Sequence, residues 1–67
     1  MNPRKIAEAE LRAAGFHLDR HGANHDVWRH DSLRISLPLP RHNFGENTLR
    51  YIRKEIAAAM RGAQPHR

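Results

Sequence analysis

Chain breakers at Gly15, Gly22 with Asn24, Asp31 with Ser32, and Pro38 with Pro40 cut this sequence into short segments, and their spacing limits what it can fold into. Glycine and asparagine accept the positive φ that tight turns require, and proline cannot donate to a strand ladder. Pro3 to Ala14 predicts a helix. Asn2 can cap it, and Pro3 suits the first helical position, where a backbone N–H would be unpaired anyway. Ile6, Ala9 and Ala13 fall on one line with Ala7, Leu11 and Ala14 beside it, a broad face of small apolar residues. Gly15 then suits the left-handed position that ends many helices.

Phe16 to Arg20 alternates apolar and polar, the period of a half-buried strand. His21 to Asn24 reads as a turn and His25 to His30 as a second strand, in which neighbouring Val27 and Trp28 must face opposite ways. Asp31-Ser32 predicts a turn and Leu33 to Leu37 a third strand, stopped by Pro38 and Pro40. After a loop from Leu39 to Glu46, Asn47 caps a last helix from about Thr48 to Arg61. Leu49, Ile52, Ile56 and Met60 form its apolar stripe, and Arg50, Arg53, Lys54 and Arg61 a separate basic sector. Gly62 ends it, and 63–67 reads as a frayed tail. The expected fold is one α+β domain over 1–67: helix, three-stranded antiparallel sheet, helix, with both helices on one sheet face.

Composition narrows the function. The chain has no cysteine, which excludes a disulfide framework and a thiolate metal site. No apolar run approaches the roughly 18 residues of a spanning helix, and no signal-peptide pattern opens the chain, so a soluble cytoplasmic protein is expected. Twelve Lys and Arg, mostly Arg, stand against seven Asp and Glu, for a net charge of +5. That excess favours a polyanion, with nucleic acid ahead of a membrane surface, because guanidinium forks match phosphate.

Against this background His25 is the residue to which chemistry is assigned. It follows a turn, in the run Gly22-Ala23-Asn24-His25-Asp26-Val27-Trp28, and histidine is the side chain best suited to move protons near neutral pH. Arg29, further along the same strand face, is expected to reach the scissile phosphate. Arg41 and His42, where the chain leaves the sheet, are candidates for substrate contact, as are Arg50, Arg53 and Lys54 on the last helix. His17, His21, His30 and His66 read as polar strand, turn or tail residues, Asp26 as edge polarity and Trp28 as core. The histidine spacings place no two ligands on one helical face, so neither a metal nor a cofactor is expected.

The Gly15-Phe16 junction, the Gly-x-x-His-x-x-aromatic run from Gly22 to Trp28, the Pro40-Arg41-His42 exit and Thr48-Leu49-Arg50 together resemble the HicA family of small mRNA interferases. Two departures stand out: Asn24 where many members have serine, and Leu39 between two prolines. The resemblance covers nearly the whole chain and implies a double-stranded-RNA-binding-domain-like fold, with His25 as catalytic residue. It also implies metal-free endoribonuclease activity on mRNA and inhibition by a cognate HicB-like antitoxin. Two other readings fit the residues: a basic RNA- or DNA-binding module without turnover, and an activity-decayed antitoxin-binding partner presenting Phe44 and Tyr51 at its interface.

Overall fold

The computed structural model describes residues 2–42 and 44–62. The tail predicted at 63–67 lies outside them, as does His66. Helix α1 (Pro3–Ala13), strands β1 (His17–His21), β2 (His25–His30) and β3 (Ile35–Pro40), and helix α2 (Glu46–Gly62) follow in chain order. The strands form one antiparallel sheet in the order β1-β2-β3. The fold is therefore α+β, helix, three-stranded sheet, helix, as the segment pattern predicts. No helix among the described residues is long and apolar enough to cross a membrane.

Local chemistry starts and stops α1 as expected. The Asn2 side chain accepts from the Lys5 N–H at 2.8 Å, with Pro3 in the first turn. Gly15 takes φ +101°, and the Phe16 N–H closes onto the Leu11 carbonyl at 2.9 Å. A methyl group on Gly15 would come within 2.6 Å of the His30 ring, so this position excludes a side chain twice over. His30 packs edge-on against Phe16, ring centroids 5.3 Å apart, and its Nδ1 accepts from the Leu33 N–H at 3.2 Å. It is a packing residue.

One core joins the layers: Ala7 and Leu11 from α1, Phe16, Trp28 from β2, Leu37 and Leu39 from β3, and Leu49 and Ile52 from α2. Both helices thus lie over the sheet face that carries Trp28. Several predicted core positions differ. On α1 the buried line is Ala7 and Leu11 with Ile6 and Ala14 packed beside it, while Ala9 and Ala13 are exposed. On α2 the stripe runs Leu49, Ile52, Ile56 and Ala59, and Met60 lies outside it, exposed. Phe44 packs on the core and is not free for an interface, whereas Tyr51 is exposed. Helix α2 begins at Glu46, before the expected Asn47 cap, with the Leu49 N–H bonded to the Gly45 carbonyl at 3.0 Å.

The third strand is displaced from its expected span. The turn continues through Arg34, which takes a left-handed φ of 58°, so β3 starts at Ile35. It then runs through both prolines instead of stopping at them. The Arg41 N–H bonds to the Asn24 carbonyl at 3.1 Å, extending the register His25↔Pro40 and Val27↔Pro38 by one pair. Inward-pointing N–H groups alternate along a strand, so Leu37, Leu39 and Arg41 face β2 while Pro38 and Pro40 turn their nitrogens to the outer edge. No ladder bond is lost, and the outer edge has fewer donors to offer another strand.

Candidate nucleic-acid interface

Alternation along β2 divides the site residues between two faces. Asp26 and Trp28 are buried under the helices, so His25, Val27 and Arg29 point to the uncovered face. His25 is exposed at the head of the central strand. Its carbonyl accepts the Gly22 N–H at 2.7 Å, and a side chain on Gly22 would collide with that carbonyl. The glycine three residues before the histidine therefore closes the hairpin directly beneath His25.

A bulge in β1 rearranges the neighbouring strand. His17 pairs with Arg29 and Leu18 with Trp28, but Arg20 then faces Val27 and His21 faces Asp26, leaving Asp19 extra. Strict alternation would put Arg20 on the helix side. The bulge turns it to the uncovered face, diagonally across from His25, where such neighbours lie about 7–8 Å apart. Arg20, whose Nη1 donates to the Asp19 carboxylate at 3.1 Å, is thus a basic neighbour of His25 that simple alternation conceals. Arg29 is farther: four residues at about 3.3 Å each put it about 13 Å along the strand. Its guanidinium also donates to Asp31 at 3.2 Å, so it does not share a site with His25.

On the helix side, Asp26 organises a second cluster. Only 4% exposed, it accepts from Arg4 Nη2 at 2.6 Å and from His21 Nδ1 at 2.8 Å, with Arg41 Nε 3.6 Å away. Arg4 also donates to the Pro40 carbonyl and pairs with Glu8 at 3.2 Å, and Arg41 Nη1 donates to the Gly22 carbonyl at 3.0 Å. One carboxylate thereby ties α1 to the hairpin end and to the exit of β3. Its role is larger than the edge polarity expected of it, and His21 is its partner instead of an idle turn residue. The pairing is hidden in sequence because His21 reaches the Asp26 face only through the bulge.

Burial alone would raise the Asp26 pKa. The His21 hydrogen bond and the charges of His21, Arg41 and Arg4 outweigh it and hold the carboxyl below its ordinary range. A carboxylate depressed by folding contributes stability that is complete above its unfolded pKa and lost as pH falls through its folded pKa. Asp26→Asn is therefore expected to cost about 1–3 kcal/mol at neutral pH, with the difference from wild type shrinking in acid. Thermal melts of both proteins across that range check it; a difference independent of pH would show that the Asp26 charge is not what stabilises.

The remaining candidates lie elsewhere. Arg53 clamps Glu10 of α1 through Nε at 3.0 Å and Nη2 at 2.7 Å, and so joins the two helices. Arg50 lines a shallow cleft with Pro3, Ile6, Glu46, Leu49 and Arg53, and Lys54 is exposed on α2. All three belong to the helix layer, across the sheet from His25. Arg41 and His42 line the cleft beside Asp26. No group of three or more metal-ligating side chains comes together among the described residues. Comparison with family profiles, curated proteins and solved structures finds no match to this chain.

Proposed function

We propose that this chain is a HicA-like mRNA interferase: a toxin endoribonuclease that acts on cytoplasmic mRNA and is held inactive by a HicB-like antitoxin. The observation that carries the reading is the position of His25, exposed at the head of the central strand on the face no helix covers. A phosphodiester can reach it there without any rearrangement of the core. The resemblance in the Gly22 to Trp28 run and the Arg20 guanidinium on the same face support it further.

The chemistry is a transesterification. The 2′-oxygen loses its proton and attacks phosphorus, the new O2′–P bond forms, and the P–O5′ bond breaks as the departing oxygen gains a proton. His25 takes the first proton or supplies the last. Arginine charge at the pentacoordinate phosphorus favours the transition state over the ground state. An antitoxin that covers the uncovered sheet face would exclude RNA from His25.

Purified chain incubated with RNA is expected to leave fragments ending in a 2′,3′-cyclic phosphate and a 5′-hydroxyl. RNA left intact beside an active ribonuclease control would leave a binding module without turnover as the better description.

A further inference from the structure

The helices do not cover β1. Leu18, on the helix-side face, is 40% exposed, and a cleft of about 340 Å³ opens between α1 and the β1–β2 hairpin. Arg4, Glu8 and Arg12, one turn apart along α1, form one wall; Leu18, His21, Arg41 and His42 form the other; Trp28 and Asp26 lie at the base. Three guanidiniums here face two carboxylates, so one positive charge remains uncompensated even with both histidines neutral.

The donors separate into committed and free. Arg4 is fully engaged by Asp26, Glu8 and Pro40, and the His21 Nδ1 by Asp26. The Arg12 side chain makes no hydrogen bond or ion pair among the described residues; its guanidinium lies 5.1 Å over the Trp28 ring. His42 likewise has no such partner there. Beneath them the Trp28 indole N–H is buried with no acceptor among the described residues. A buried donor left unpaired costs about 1–3 kcal/mol, so a site that leaves one beside free cations is suited to an incoming oxygen acceptor.

From this arrangement we propose that the cleft is a phosphate subsite, which holds the backbone of an RNA strand through Arg12 beside the Trp28 N–H and through His42 toward the hairpin end. Asp26 plays the positioning part, holding Arg4, His21 and Arg41 in place so that the cleft keeps its shape. The inference rests on the proposed function only for the identity of the strand. The hairpin end separates this subsite from His25, so one strand passing around that end would meet both. An acidic peptide is the weaker fit. The free donors are few and spaced along the cleft, as the phosphates of a strand are, and the neighbouring Glu8 and Asp26 would repel a dense run of carboxylates.

Trp28 is the chain's only tryptophan, so its fluorescence reports occupancy of the cleft. The full chain is titrated with a short single-stranded RNA, with inorganic phosphate and with a glutamate-rich peptide. Expected are a saturable change with RNA and, at higher concentration, with phosphate, and an RNA Kd about tenfold weaker in Arg12→Gln, with a smaller loss in His42→Gln. Neither side chain holds the core, and circular dichroism checks that both variants stay folded. No saturable change with RNA, saturation by the peptide alone, or unchanged affinity in both variants overturns the subsite. His25→Ala separates the two proposals: it is expected to keep the titration intact. Wild type that binds in the cleft without cleaving would leave the subsite standing and remove the ribonuclease reading.

Discussion

Trp28→Ala is expected to abolish cooperative folding. Trp28 is 2% exposed and the largest fully buried side chain, and it links α1 to the central strand of the sheet. Truncating a buried tryptophan costs about 3–5 kcal/mol, from lost burial and from the cavity left behind. The Arg12 guanidinium loses its aromatic contact as well, worth about 0.5–1 kcal/mol at an exposed site. A core of this size supplies only about 3–5 kcal/mol in total, so the loss consumes the whole margin. Trp28→Phe behaves differently, because it retains most of the apolar area and removes an N–H that has no acceptor among the described residues. Its melting temperature is expected to fall by about 4–8 °C for each kcal/mol lost, with the transition still cooperative. Thermal melts followed by circular dichroism decide the matter: Trp28→Ala melting cooperatively near wild type would mean that the core does not depend on this residue.

The elements themselves are legible in the residues because each carries its own local signal. Asn2 and Pro3 start α1, Gly15 ends it in the left-handed region, and Gly22 closes the hairpin onto His25. What fails to read through is whatever depends on pairing between strands. The β1 bulge exchanges the faces of Arg20 and His21, and an extra residue at Asp19 has no composition of its own to announce it. Pro38 and Pro40 look like a stop until the register shows that both nitrogens face outward from an edge strand. The strand expected from Phe16 to Arg20 forms over His17–His21 and is exposed along that length, because the helices lie over β2 and β3, while Phe16, just before it, joins the core.

The site divides on the same grounds. His25 stands out in sequence behind a turn glycine, but its face is settled only once Trp28 rather than Val27 takes the core. The Asp26 cluster is not, because Arg4, His21 and Arg41 converge from three elements and only the tertiary fold brings them to one carboxylate. Arg53 shows the opposite case. A helical position rich in positive charge suggests phosphate contact, yet the guanidinium is already held by Glu10 on the neighbouring helix. A basic residue read from sequence carries no record of which carboxylates the fold will bring beside it.

His25→Ala is expected to lower RNA cleavage by about 10²–10⁴-fold, the range supplied by one positioned acid–base group. Stability should change by no more than about 0.5 kcal/mol, since the side chain is exposed and the backbone bond from Gly22 to the His25 carbonyl needs no side chain. That separation makes the result informative: a drop in turnover with an unchanged melt points to chemistry, not to loss of the fold. In cells, induction of wild type is expected to stop growth and fragment mRNA, while the variant accumulates and does neither. Asp26→Asn provides the contrast, because it weakens the hairpin anchor and is expected to lower stability first, with activity following the folded fraction. Should His25→Ala cleave RNA at the wild-type rate while folded, the uncovered face of the sheet would hold no proton-transfer group at that position. The cutting group would then lie elsewhere in the chain, and the basic residues around His25 would serve binding alone.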